Sequence, residues 1–371
     1  MLVGHSIKRR CELLVIDADT HVDETESTWE YMREEEFQFK PTTGYPAKSD
    51  PSRPPSRYWL IDGQRQIRFI RDDEKTRTTV ETRELLDVSA RLRAMDERGI
   101  HLQVIYPTLF IMEATTRPEV SVALRRSYNR WLADRCAQSK GRLRWVCLPP
   151  TMVIDEAIKE IKFGKDHGAC GVLKKGDREA GRWPADPYFF PLYEEAERLG
   201  MPLCFHTGSG TPDFPSARDV TLGSFMRSQQ PTVHAFHTLL RHGIPSKFPK
   251  LRFGFIEANS SWVPYVIYDL KRRIEQVSAG STFGKTDYVI QSDLLKTNRM
   301  YVTCQSDEDL SYILKFSGED NLIMGSDYTH NDQSMDHDFA RLLRNRADNG
   351  DIPRSVVSKI LYDNPKTFYA L

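Results

Sequence analysis

The sequence predicts an α/β protein folded as a (β/α)8 TIM barrel with a long insertion after its first strand. Three observations carry this: eight short apolar runs, amphipathic segments between them, and a polar, proline-rich excursion after the first run. Near-continuous apolar runs of this length suit parallel strands buried on both faces. In order they are Leu13–Ile16, Leu102–Tyr106, Leu143–Leu148, Ala169–Leu173, Pro202–Phe205, Leu251–Ile256, Met300–Cys304 and Leu322–Gly325. The segment Val88–Arg98 has helical spacing at Val88, Leu92 and Met95 and ends at Gly99, a favourable residue just past a helix. Val122–Ala137, Pro191–Leu199 and Val233–Arg241 follow the same pattern. Strands alternating with helices over 371 residues favour one barrel domain spanning 1–371. An open doubly wound sheet is disfavoured, because no glycine-rich phosphate loop follows the first strand.

The excursion from Glu24 to Val80 carries Pro41, Pro46, Pro51, Pro54 and Pro55, and one hairpin-like piece, Tyr58–Arg65, turning at Asp62-Gly63. Following strand one, it is placed over the C-terminal mouth of the barrel. A lid and a surface excursion or oligomer contact both fit it.

Composition excludes other classes. Lys and Arg number 52 against 52 Asp and Glu, so the basic surplus expected of a nucleic-acid or anionic-membrane binder is missing. The mean hydropathy is −0.53, and no apolar run approaches the ~18 residues of a spanning helix. The expected setting is cytoplasmic, with a small-molecule substrate and neither nucleic acid nor membrane as partner. The six cysteines, Cys11, Cys136, Cys147, Cys170, Cys204 and Cys304, show no CxxC spacing and are expected to be buried and reduced.

Barrel chemistry sits at the C-terminal strand ends. The first run is followed by Asp17-Ala18-Asp19-Thr20-His21, in which Asp19 and His21 share one side of an extended segment. His206 follows the fifth run, and Asp327 follows the eighth in Gly325-Ser326-Asp327-Tyr328-Thr329-His330. Imidazoles and carboxylates from three strand ends suit one divalent ion, Zn2+ first and Mn2+ as the alternative, with no organic cofactor. Glu257 follows the sixth run, where it is a general acid or base, or else a carboxylate that orients a ligand. His330 is a candidate contact for substrate or metal-bound water, or a loop residue bonded to backbone. Trp262, Tyr328 and Asn259 flank these ends and are expected to contact substrate; the insertion's Tyr58 and Trp59 are alternatives to Trp262 as the face that packs on a ring. His5, His101, His167, His242 and His337 are assigned structural roles, while His234 and His237 are placed where one of them could reach the site. Lys174 and Lys175 close the fourth run as anion binders or solvated residues. A carbamylated lysine bridging two metals is disfavoured, because Asp19 stands where a binuclear site wants a second histidine.

Several segments then carry a resemblance. Val15-Ile16-Asp17-Ala18-Asp19-Thr20-His21-Val22, Arg91-Leu92-Arg93-Ala94-Met95-Asp96-Glu97-Arg98-Gly99-Ile100, Tyr128-Asn129-Arg130-Trp131, Phe248-Pro249-Lys250-Leu251-Arg252-Phe253, Met324-Gly325-Ser326-Asp327-Tyr328-Thr329-His330 and Asn364-Pro365 run in the order and spacing of one family. The chain resembles the amidohydrolase superfamily, in the branch of aminocarboxymuconate-semialdehyde and resorcylate-type decarboxylases. The resemblance implies one divalent metal on Asp19, His21, His206 and Asp327. It also implies non-oxidative decarboxylation of a small aromatic carboxylate, or alternatively hydrolysis of an amide, lactone or ester, and a homo-oligomer, dimer or larger. Two positions depart from the pattern: Asp19 where a His-x-His opening is common, and Glu257 where the semialdehyde decarboxylase has a catalytic histidine.

Overall fold

In the computed structural model the described residues are 14–46, 56–208, 225–278 and 293–371. Eight parallel strands form one sheet in chain order: Ile16–Val22, Leu102–Pro107, Leu143–Cys147, Ala169–Lys175, Leu203–His206, Phe253–Ile256, Met300–Thr303 and Leu322–Ile323. Each of the eight expected runs overlaps one of these strands, the first only at Ile16, and the helices Val88–Glu97, Pro118–Ala137, Phe190–Leu199 and Gln229–Arg241 stand where the periodicity puts them. The (β/α)8 barrel is the observed fold.

The sheet closes across its first and last strands. Ala18 N donates to Met324 O (3.1 Å), Asp327 N to Asp19 O (3.0 Å) and His21 N to Tyr328 O (2.9 Å). Gly325 makes this approach possible. A Cβ there would lie 2.5 Å from the Cβ and N of Asp19, so only glycine lets the two backbones meet. The C-terminal helix Asn364–Tyr369 pins the same region, its Tyr369 hydroxyl bonding Ala18 O (2.7 Å) and lying 2.7 Å from the Tyr106 hydroxyl.

Strand one differs from expectation. It runs through Val22, so the Asp17–His21 motif lies inside the strand rather than after it. Its pairing with Leu102–Pro107 shifts register between Asp17 and Thr20. Such a bulge re-aims side chains locally, as bulges beside active sites do. The polar motif survives burial because its groups are paired. Asp17 accepts from Ser326 N (2.7 Å), Ser326 Oγ (2.6 Å) and Gln103 Nε2 (3.0 Å), and Gln103 Oε1 accepts from Arg91 Nε (2.7 Å).

The insertion folds as a three-stranded antiparallel sheet of Thr42–Gly44, Arg57–Ile61 and Gln64–Arg68. Its hairpin turns at Asp62 and Gly63, with φ of 49° and 74°, the conformation an Asp-Gly pair favours. Gln66 Nε2 donates to Ala114 O (3.2 Å), tying the sheet to the loop after strand two. Cys136, Cys147, Cys170, Cys204 and Cys304 are buried free thiols. His5, Cys11, Leu13, Pro51, Pro54, Pro55 and Gly210 lie outside the described residues. Among the described residues, no helix is long and apolar enough to cross a membrane.

Candidate metal centre

Strand one delivers Asp19 and His21, strand five His206, the residue after strand six Glu257, and the loop after strand eight Asp327 and His330. All six are buried, and they form two overlapping sets of potential ligands that share His21 and Glu257. His21 Nε2 lies 3.5 Å from Asp19 Oδ1, 3.4 Å from Asp327 Oδ1 and 3.8 Å from Glu257 Oε2. His206 Nε2 lies 3.4 Å from Asp19 Oδ1 and 3.3 Å from Glu257 Oε2. The ring of His330 stacks on that of His21 at 3.9 Å between centroids, with Nδ1 2.9 Å from Asp327 Oδ1.

Two features show that these residues fit a cation. First, His21 Nδ1 bonds Pro107 O (2.8 Å) and His206 Nδ1 bonds Thr207 O (2.7 Å). A carbonyl only accepts, so each Nδ1 carries a proton and each Nε2 is the nitrogen turned towards the carboxylates, where a cation would take it as a ligand. Second, His21 Nε2 and both carboxylate oxygens of Asp327 are buried without a hydrogen bond, a costly arrangement unless an ion satisfies them.

The electrostatics agree. Burial drives the Asp327 carboxyl well above the usual carboxylate range, with the Glu257 charge adding to it. Burial does the same to Glu257, against the opposing pull of His206. Burial also works against a charged His206, but Asp19 and Glu257 outweigh it and hold its pKa up at about 9. His21 is held neutral by burial and by neighbouring His206, and His330 by burial and neighbouring His21. A cation and the His206 proton therefore compete for the same carboxylates. The backbone is also strained here. Glu257, Asn259 and Asp327 adopt φ of 60°, 50° and 51°, a conformation costing roughly 1–3 kcal/mol for residues other than glycine.

A cavity of about 270 Å3 opens above the cluster. Glu257, His330 and Thr108 line its inner part; Ile67 and Phe69 of the insertion, with Ile111 and Met112, make an apolar wall. Arg71, Ser228, Asn331, Asp332 and Gln333 supply the polar rim. The insertion thus faces the mouth, through Ile67, Phe69 and Arg71 rather than Tyr58 or Trp59. Trp59 is buried against Trp29 and Arg68.

The three expected substrate contacts are elsewhere. Trp262 lines a separate cavity of about 910 Å3, with its indole N–H directed to Ala258 O (3.1 Å) and Asn259 O (2.9 Å). Tyr328 points away from the cluster, its hydroxyl donating to Thr82 Oγ1 (2.9 Å) and the Arg91 guanidinium lying 3.7 Å from its ring centroid. Asn259 is not among the lining residues of the cavity above the cluster. His234 and His237 line the separate cavity, His237 beside Asp269 at 3.1 Å. Lys174 is buried against Glu179 and the Phe189 ring, and Lys175 lies 3.6 Å from Glu113, so neither belongs to the ligand sets. His101 is exposed, and His337 bonds Thr76 O (2.8 Å).

Sequence reasoning passed over Arg71, Glu24, Thr108 and Asp332. Arg71 holds Asp23 through Nε (2.9 Å), and Glu24 accepts from Thr108 N (3.1 Å) and Leu109 N (2.9 Å). Only the charge of Arg71, Glu24 and Asp332 within otherwise irregular segments could have marked them, and Thr108 carries no such signal.

The gamma-resorcylate decarboxylase of Rhizobium sp. (strain MTP-10005) is 24% identical over 200 residues, covering 51% of this chain and 61% of that enzyme. The chain therefore matches less than two thirds of that relative's length. An amidohydrolase from Mycobacterium avium subsp. paratuberculosis superposes with a TM-score of 0.73 at 19% identity, over 97% of this chain and 98% of that one. The 5-carboxyvanillate decarboxylase of Novosphingobium aromaticivorans, solved with manganese and 4-hydroxy-3-methoxy-5-nitrobenzoic acid, gives a TM-score of 0.70 at 18% identity over 97% of both chains. At such identities these structures establish a shared fold. The amidohydrolase family model matches residues 16–371, nearly the whole length, and the chain belongs to that family.

Proposed function

We propose that the protein is a metal-dependent decarboxylase of a small aromatic carboxylate. The observation that carries this is the cavity: about 270 Å3, with an apolar wall, a guanidinium in its lining and, at the candidate cation cluster, a carboxyl that burial pushes well above the usual carboxylate range. That volume suits one substituted ring. Asp19, His21, His206 and Asp327 would hold the ion. When bound, a divalent ion supplies a positive centre that orients and polarises oxygen substituents of the substrate. Two carboxylates beside two ligand imidazoles accept Zn2+ or Mn2+, and the manganese in the carboxyvanillate relative favours Mn2+.

The remaining chemistry belongs to the chain. Arg71 attracts the anion, while Ile67, Phe69, Ile111 and Met112 pack the ring and exclude water. Glu257, whose carboxyl burial pushes well above the usual range, is the acid that donates a proton to the ring carbon bearing the carboxylate. The C–C bond then breaks, its electron pair returns to the ring, and CO2 leaves; solvent reprotonates Glu257. Burial favours the neutral acid here as it does in other carboxyl general acids.

The test incubates the Mn2+- or Zn2+-loaded protein with a panel of hydroxybenzoates and follows CO2 and the decarboxylated arene. Metal per chain is measured alongside, for the wild type and for Asp327→Asn. CO2 release, with loss of both metal and activity in the variant, is the expected result. Acid plus amine or alcohol from amides or esters, without CO2, would replace the proposal with hydrolysis by a metal-activated water. Full metal occupancy in Asp327→Asn would overturn the ligand assignment.

A further inference from the structure

Strand one leads directly into two adjacent acidic residues whose side chains grip opposite sides of the mouth. Asp23 takes Arg71 through Nε (2.9 Å) and Nη2 (3.1 Å), fixing the insertion side. Glu24 turns to the other wall. It is 4% exposed, and each of its carboxylate oxygens accepts one backbone N–H, from Thr108 (3.1 Å) and Leu109 (2.9 Å).

Those two N–H groups begin the short 3-10 turn Leu109–Ile111, and the Thr108 side chain does not cap it. Glu24 fills the role that an N-cap side chain usually takes, from 84 and 85 residues away. The freed Thr108 hydroxyl lies 3.2 Å from His330 Nε2, and the turn carries Ile111, followed by Met112, in the apolar wall. A chain of contacts therefore runs from Glu24 through Thr108 to His330, whose other ring nitrogen faces Asp327 at 2.9 Å.

A carboxyl group is a costly way to cap one turn in the interior, since its charged form is penalised there. Burial pushes Glu24 up to about 8 despite both N–H donors. An uncharged residue would serve packing alone at lower cost. Two donors aimed at two oxygens fix the turn's position and rotation together, which a single-acceptor side chain does not.

We propose that Glu24 is a positioning residue for the decarboxylation site, setting His330 through Thr108 and the ring-packing wall through Ile111 and Met112. This rests on the proposed reaction for its kinetic consequences and on the structure alone for its geometry, so each is tested separately. Glu24→Gln keeps the size but turns one N–H donor against another; Thr108→Val removes only the hydroxyl.

In the Zn2+-loaded protein labelled with [15N]histidine, both variants are expected to move the His330 ring-nitrogen resonances while leaving metal content unchanged. Kinetically, each is expected to lower kcat about tenfold. Glu24→Gln in the Thr108→Val background should cost less than twofold more in kcat, with the residual effect in KM through the apolar wall. Unmoved His330 resonances in both variants, or kcat losses that multiply in the double variant, would overturn the proposal. If the wild type decarboxylates nothing, the function reading fails while the spectra still decide the positioning role. If Glu24→Gln does not fold, Thr108→Val alone must shift His330, and an unshifted spectrum rejects the proposal.

Discussion

Gly325→Ala is a one-atom perturbation at the seam where the barrel closes and the ligands converge. The added Cβ would stand 2.5 Å from the Cβ and N of Asp19 and 2.8 Å from its Cα. Relaxed carbon contacts lie near ~3.5–4.0 Å, so the two backbones must part by roughly 1 Å. Neither backbone can yield by a rotamer change. The bonds Ala18 N–Met324 O, Asp327 N–Asp19 O and His21 N–Tyr328 O, now 3.1, 3.0 and 2.9 Å, would leave hydrogen-bonding range. Overpacking costs about 1–3 kcal/mol, and each weakened backbone bond about 0.5–1.5 kcal/mol. Partial relaxation leaves a total on the order of 3–5 kcal/mol. At roughly 2 °C per kcal/mol for a chain of this size, Tm should fall by about 6–10 °C. The same displacement separates Asp19 from Asp327, and metal sites tolerate only ~0.2 Å in ligand distance. Calorimetry and metal per chain after dialysis against a weak chelator measure the two effects. A variant with wild-type Tm and a full equivalent of metal would refute both the seam argument and the ligand assignment.

Two further outcomes follow from individual side chains. Arg71→Met should raise KM for an aromatic carboxylate about tenfold while kcat stays within a few-fold. A hydrogen bond to a charged group contributes about 1.5–3 kcal/mol, and the pairing of Arg71 with Asp23 discounts it; an unchanged KM removes Arg71 from substrate binding. His337 should make stability depend on pH. Burial, aided by Arg98, lowers its pKa from 6.5 to about 4, with Nε2 donating to Thr76 O. The unfolded chain takes up this proton below about 6.5 and the folded chain only below about 4, so stability is complete above 6.5 and is lost as pH falls through that window. By pH 5 the loss is about 2 kcal/mol. Urea unfolding at pH 7 and pH 5 should show that much more loss for the wild type than for His337→Gln, and equal losses contradict the assignment.

The architecture was legible because strands buried on both faces must be apolar almost throughout, and eight such runs leave little choice of fold. The bounds failed where function intrudes on that rule. Strand one seemed to stop at Ile16 because Asp17, Asp19 and His21 break the apolar pattern, yet all three are strand residues. Asp17 is held by Ser326 and Gln103, and the other two join the metal cluster. In the insertion the hairpin was visible through Asp62-Gly63, whereas the third strand, Thr42–Gly44, is too short to show a period.

The cluster could be read from sequence because every member lies in the C-terminal part of a strand or follows one closely, so chain position and spatial position coincide. Direction is a different matter. Tyr328 is the residue after Asp327, yet it turns to Arg91 and Thr82, outside the cavity. Trp262 lies five residues beyond Glu257, where the helix Val263–Ser278 begins, and the indole closes back on its own loop. Proximity in sequence thus brought the proposed ligands together in one cluster but not the expected substrate contacts, because successive side chains of an extended segment turn to opposite faces. The residues that do shape the cavity, Phe69, Arg71, Ile111 and Met112, come from the insertion and from the loop after strand two. Asp23 and Glu24 join those two segments across the mouth. A barrel strand can place a metal without help, but its mouth acquires a shape only when loops far apart in sequence are fastened to each other. In this chain the fastening begins two residues after His21, a proposed ligand.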